Sequence, residues 1–160
     1  MTNHDPHIYE KPGHLIRRLQ QIALALFMDE TKTFDVTPVQ YSALVAIDID
    51  PGLDQTALCH LIAIDRSTVG DVVTRLEKKK LIRRTAGPQD RRTKVLFITP
   101  AGKKLIGEIE PFVESTQARI LEPLTASERA ALMRMLKKLV HLNNEHSRAP
   151  LRLIERTGSE

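Results

Sequence analysis

A mainly α-helical chain with one small β-hairpin is what this sequence predicts, and three observations carry the prediction. Apolar residues recur at helical spacing in successive segments between residues 12 and 145. Most of those segments open on a Thr or Asp that can cap a helix, twice followed directly by proline. Two short β-prone runs flank a Gly-Pro and charged tip in the middle of the chain.

The elements follow in order. Residues 1–11 are polar and without period, and read as a flexible arm. From Pro12, a good first-turn residue, Leu15, Leu19, Ile22 and Leu26 mark a helix to about Lys32, with Ile16, Ala23 and Phe27 widening its stripe. Thr37-Pro38-Val39-Gln40 is a capping box opening a second helix, which carries Tyr41, Leu44, Val45 and Asp48 and stops at Pro51-Gly52. Asp54 can cap a short third helix through Leu58, Leu61 and Ile62. After the link Ala63-Ile64, Asp65 can cap a fourth running to about Lys80. Short helix, tight link and longer helix make a helix-turn-helix.

Leu81–Thr85 and Lys94–Ile98 then form a hairpin around residues 86–93, so the unit is winged. Thr99-Pro100 opens a fifth helix to about Glu122, where Pro111 should introduce a kink. Thr125-Ala126-Ser127-Glu128 opens a sixth, with Leu132, Leu136, Leu139 and Val140, to about Glu145. The boundaries are thus an arm at 1–11, a single unit at 12–146 and a tail at 147–160. Within the unit, 37–99 is the winged helix-turn-helix, while 12–33 and 100–146 supply a helical dimerisation lobe. Their broad apolar stripes exceed what the middle lobe can cover, which calls for a second copy.

Composition narrows the function. Of 160 residues, 41% are hydrophobic and 28% charged, enough to bury a core without disulfide or metal support. Cys59 is the only cysteine and sits beside Leu58 and Leu61 as a small buried thiol, which fits a reducing cytoplasm. No apolar run approaches ~18 residues and the start has no secretory pattern, so a cytoplasmic, nucleoid-associated protein without membrane contact is expected. Residues 63–104 hold twelve Lys or Arg against four Asp or Glu, a net of +8, while the other 118 residues net −4. That asymmetry is the footprint of a polyanion partner.

On the fourth helix Val69, Val72, Val73 and Leu76 share one face. Ser67, Asp71, Thr74 and Lys78 lie opposite, with Arg66, Thr68, Gly70 and Arg75 beside them. Short polar side chains near the start and cations further along suit a recognition helix, whose first turns meet base edges while its flanks meet phosphates. Gly70 would let the backbone approach the duplex, and Asp71 can accept from cytosine N4. In the wing, Asp90, Arg91, Arg92 and Lys94 crowd the tip; an arginine there can enter a minor groove, with Asp90 orienting it.

These residues resemble the MarR-type winged-helix regulators. The resemblance rests on residues 64–69 (IDRSTV), Arg75-Leu76-Glu77-Lys78, Leu81-Ile82, Asp90-Arg91-Arg92 and Ile98-Thr99-Pro100-Ala101-Gly102, and spans about residues 13–145. It implies a two-fold dimer built from the first, fifth and sixth helices, holding a near-palindromic double-stranded operator as a repressor that a small molecule releases. The family's wing motif falls on Asp90 and Arg92, making Arg92 the minor-groove residue. The starts at residues 13–18 (GHLIRR) and 37–41 (TPVQY) resemble a branch governing degradation of aromatic or heteroaromatic acids. An acid effector would then stack near Tyr41, pair with Arg18 and bond to His14.

The rival readings are a protein–protein adaptor using the basic face on an acidic partner, and a metal-responsive regulator using His4, His7, His14, His141 or His146. No resident cofactor is expected. The chain has no glycine-rich phosphate loop, nucleophile elbow or HExxH pair, so it does not read as an enzyme.

Overall fold

A computed structural model describes residues 6–153 of the chain. After a 3-10 turn at Pro6–Glu10 come α1 (Pro12–Glu30), α2 (Pro38–Ile49), α3 (Gln55–Ile62), α4 (Arg66–Lys78), β1 (Ile82–Ala86) and β2 (Lys94–Ile98). Helices α5 (Pro100–Leu121) and α6 (Ala126–Leu142) follow, then a 3-10 turn at Asn144–His146. The fold is mainly α with a two-stranded antiparallel hairpin, in the predicted order.

Helix starts are set locally. Thr37 Oγ1 accepts from the Gln40 N–H while the Gln40 side chain accepts from the Thr37 N–H, and Thr125 and Glu128 do the same on α6. Asp54, Asp65 and Thr99 cap α3, α4 and α5 one way only, their side chains accepting the N–H of Ala57, Thr68 and Gly102. Helices α1, α4 and α6 end two or three residues earlier than the periodicity suggests. Thr31 Oγ1 donates back to the Phe27 carbonyl and closes α1. At the end of α4, Lys80 turns left-handed (φ 59°), and Leu81 N–H reaches the Leu76 carbonyl at 3.0 Å. At the end of α6, Asn143 Nδ2 donates to the Leu139 carbonyl instead of extending the helix to Glu145. Helix α5 runs through Pro111 without interruption.

The main core joins Ala43, Leu44 and Ile47 of α2, Leu58 of α3, the four apolar residues of α4, and Ile82 and Leu96 of the hairpin. Val69, Val73 and Leu76 are fully buried, as their shared face predicts. The Ala63 link is left-handed (φ 52°), and Ile64 N–H returns to the Cys59 carbonyl, turning the chain sharply from α3 into α4. The hairpin pairs Ile82 with Ile98 through Ala86 with Lys94. Its outer edge is partly covered by the segment before α3, where Gly52 and Leu53 exchange backbone bonds with Leu96.

A second, smaller cluster of Phe27, Val36 and Ile109 packs α1 on α5. Arg119 adds bonds to Asp29 and Glu30 across the same pair of helices. Lys103 reaches Asp48 at 3.2 Å and ties α5 to α2. Much of the apolar surface of α1 and α6 is left uncovered. Leu15, Ile16, Leu19 and Ile22 of α1 are exposed, as are Leu139 and Val140 of α6, and α6 buries no residue.

Described segments on either side of the helical unit pack against it. Tyr9 meets the His14 ring edge-on at 5.3 Å, so the last residues of the expected arm lie against α1. Beyond α6, Asn144 exchanges two hydrogen bonds with the Leu151 backbone, and Arg152 N–H donates to the His60 carbonyl at the end of α3. Among the described residues no helix is long and apolar enough to cross a membrane.

Candidate nucleic-acid interface

Burying Val69, Val72, Val73 and Leu76 fixes how α4 is rotated, so its opposite face is presented outward by the core itself. Arg66, Ser67, Thr68, Asp71, Thr74, Arg75 and Lys78 are all exposed. Their chemistry is sorted by what each already touches. Asp65 accepts from Ser67 Oγ at 2.7 Å, Thr68 Oγ1 at 2.7 Å and Thr68 N–H at 3.0 Å. Those bonds hold its carboxyl far below the usual carboxylate range. Ser67 and Thr68 have thereby spent their only side-chain donors and face outward as acceptors. Thr74 donates to the Gly70 carbonyl at 2.9 Å and is likewise left with acceptor capacity. The side chains of Asp71, Arg75 and Lys78 form no hydrogen bond or ion pair among the described residues.

Gly70 also has a neighbour within the chain. A Cβ added there would lie 3.2 Å from Gln55 Nε2 on α3, so the missing side chain admits the neighbouring helix. That space on the α3 side is taken by the end of the Gln55 side chain.

The wing tip is built by Asp90. Its Oδ1 accepts the Arg92 N–H at 2.9 Å, and Thr93 N–H returns to the Asp90 carbonyl. Gly87 N–H closes the loop on the Thr93 carbonyl at 2.8 Å. Asp90 therefore holds Arg92 through the backbone, and the guanidinium has no carboxylate partner among the described residues. Arg91, Arg92 and Lys94 are exposed. At the wing root, the Arg83 guanidinium stacks 4.5 Å from the centre of the Phe97 ring.

A groove of about 250 Å³ runs between α2 and α4, lined by Thr37, Val39 and Gln40 on one side and Thr68, Asp71 and Arg75 on the other. The start of α2 thus flanks the outer face of α4. No motif at Thr37 signals its nearness to Asp71, because packing sets it.

The expected effector residues are not gathered in one chain. Tyr41 is half-buried beside the Phe27 cluster, and burial together with Glu110 and Glu114 raises its pKa. It lines a cleft of about 560 Å³ with Val45, Ile49, Leu61, Ile62 and Leu153. His14 and Arg18 do not line that cleft. His14 Nδ1 is 3.3 Å from Arg17, and Arg18 donates to Gln21 at 3.0 Å, so the expected neighbours on α1 each have another partner. Cys59 is half-buried against the core, and burial raises its thiol pKa. Among the described residues no group of three or more His, Cys, Asp or Glu is placed to hold a metal ion; His4 lies outside them.

An outward-facing second helix of a helix-turn-helix, followed at once by a cationic hairpin, defines a winged-helix nucleic-acid-binding module. Residues 34–93 match the sequence model of the MarR family. A protein assigned to transcriptional regulation of the hcr operon in Thauera aromatica is 37% identical over 134 residues, 83% of this chain and 81% of its own. The transcriptional repressor NicR of Pseudomonas putida is 27% identical over 83% of this chain and 84% of its own. Among solved structures, BpsR of Bordetella bronchiseptica, whose DNA binding is regulated by 6-hydroxynicotinic acid, superposes with a TM-score of 0.79 at 31% identity. That match covers 85% of this chain and 97% of BpsR. The chain belongs to the MarR family of transcriptional regulators.

Proposed function

We propose that this chain is a homodimeric repressor that holds a near-palindromic operator and is released by a small aromatic or heteroaromatic acid. The observation that carries the reading is the outer face of α4. Asp71, Arg75 and Lys78 stand uncommitted there, with the free guanidinium of Arg92 on the wing that follows. In a two-fold assembly the α4 helices read half-sites about one helical turn, roughly 10 base pairs, apart. The bare apolar stripes of α1 and α6 are the surfaces that a second copy covers.

The effector lies in the apolar cleft beside Tyr41, its ring against Val45 and Ile49. Its carboxylate is met by Arg18, with His14 beside it. Neither residue lines the cleft of its own chain, so this arrangement requires α1 of the second copy. Arginine suits the task because its planar fork gives a carboxylate two parallel bonds. Release needs only a differential affinity for the two spacings of the α4 helices, and ~1.4 kcal/mol shifts the equilibrium tenfold.

The experiment is operator release by a panel of benzoate- and nicotinate-type acids, read by fluorescence anisotropy with oligomeric state followed by sedimentation. An acid should release wild type, and Arg18→Ala should need at least ten times more of it while remaining a dimer. Release of both proteins at one concentration removes Arg18 as the anchor. A folded, stable monomer at micromolar concentration removes the dimer.

A further inference from the structure

We propose that the seam between the wing and the first turns of α3 and α4 binds a phosphate oxyanion of the DNA backbone, with Arg84 as a contact outside the reading face described above. The inference rests on the DNA-binding reading and adds a second kind of contact to it.

The seam is a cleft of about 350 Å³. Four cations from four different places converge on it: Arg66 at the start of α4, Arg84 on β1, Arg92 at the tip and Lys94 on β2. Gln55 and Thr56, the first residues of α3, supply polar groups to the same wall. Its one lining carboxylate, Asp54, is already engaged, accepting the Ala57 N–H at 2.7 Å as the cap of α3. Arg66, Arg92 and Lys94 have no carboxylate partner among the described residues. A concavity lined by this many cations favours the entry of an anion.

Arg84 is the best-prepared member. Its Nε donates to Glu77 Oε2 at 2.7 Å, and its Nη2 reaches the same oxygen. One edge of the guanidinium is therefore anchored to α4, and the N–H groups of Nη1 remain for a ligand. An anchored fork loses little side-chain freedom when it binds an anion. Gln55 Nε2, 3.5 Å from the Arg66 carbonyl, links the α3 and α4 walls.

DNA geometry identifies the anion. With α4 in the major groove and Arg92 in the adjacent minor groove, one sugar-phosphate strand separates the two. The surface between α4 and the wing must face that strand. A phosphodiester is the ligand this geometry delivers to the seam, although a free phosphate ion shares its chemistry.

The test uses the full-length protein on a duplex that the wild type selects from random sequence. Arg84→Gln should weaken binding about tenfold and lower the magnitude of the slope of log K against log salt by about 1–2, with base preference unchanged. Arg84→Lys should restore the slope. Ethylation interference should show one phosphate per half-site whose modification impairs wild type but not Arg84→Gln. Lys94→Gln should give the same loss at that phosphate, which keeps the test valid if Arg84→Gln folds poorly.

An unchanged slope and footprint in both variants, with wild type still binding specifically, overturns this inference and leaves the DNA-binding reading intact. Failure of wild type to select any duplex overturns that reading, and this inference with it. Inorganic phosphate at fixed ionic strength distinguishes the sources. A phosphate-specific rise in Tm that Arg84→Gln abolishes assigns the seam to a free anion and overturns the backbone assignment; no rise beyond that in chloride is expected.

Discussion

Gly102→Ala should lower the melting temperature by about 10 °C, the largest stability effect expected from adding one methyl group. Gly102 is buried in the first turn of α5, directly against the start of the wing. A Cβ there would lie 2.2 Å from the Leu81 carbonyl oxygen and 2.7 Å from Ile98 Cγ1. The first is a backbone atom and cannot rotate aside. The same carbonyl accepts from Thr99 N–H at 3.0 Å and Thr99 Oγ1 at 3.0 Å, so opening the gap also breaks the bonds that cap α5 onto the hairpin.

Overpacking of this kind costs about 3 kcal/mol, and a chain of this length loses roughly 2–4 °C per kcal/mol. Gly107 in the same helix is the control. Nothing lies within 4 Å of a Cβ placed there, so Gly107→Ala should melt at or slightly above wild type. Thermal unfolding followed by circular dichroism measures both. Equal melting of the two variants would show that α5 does not seat on the wing through Gly102.

Arg92→Ala should carry the largest functional effect, weakening operator binding about 100-fold without altering Tm. Among the described residues the guanidinium has no carboxylate partner, while the backbone N–H, which the substitution keeps, is what Asp90 holds. A two-fold complex uses the residue twice. At about 1.4 kcal/mol per copy, within the range for a specific groove contact, the two losses multiply to roughly two orders of magnitude. The salt slope should fall in magnitude by about 2. Asp71→Ala should instead change which bases are preferred and leave the salt slope nearly as it was. Anisotropy titrations at several salt concentrations separate these outcomes, and wild-type affinity in Arg92→Ala would remove the wing from the interface.

Much of the fold was legible in the chain because its signals are short-range. Thr37 with Gln40 and Thr125 with Glu128 make their capping bonds across three residues, so the helix starts follow from local chemistry. The face of Val69, Val72, Val73 and Leu76 follows from helical periodicity, and burying it determines that Asp71, Arg75 and Lys78 point outward. Helix ends were less legible, since Thr31, Lys80 and Asn143 end their helices through side-chain back-bonding or a left-handed turn that periodicity does not register. The position of Asp90 and Arg92 at a hairpin tip was readable, whereas the bond from the Arg92 N–H to the Asp90 carboxylate was not.

Only tertiary structure decided what the glycines and the cations between the elements are for. Gly70 faces Gln55 fifteen residues earlier, and Gly102 faces Leu81 twenty-one residues earlier; a residue type alone does not say which neighbour it admits. Arg84 is one of many basic residues in sequence. Its anchoring by Glu77 and its meeting with Arg66, Arg92 and Lys94 exist only once α4 is packed on the hairpin. The separation of His14 and Arg18 from the Tyr41 cleft has the same origin, because it depends on where α1 lies against α5. Local chemistry specifies where each helix begins and which face it buries. The site arises where those buried faces bring distant segments together, and that is a property of packing that no short window of sequence contains.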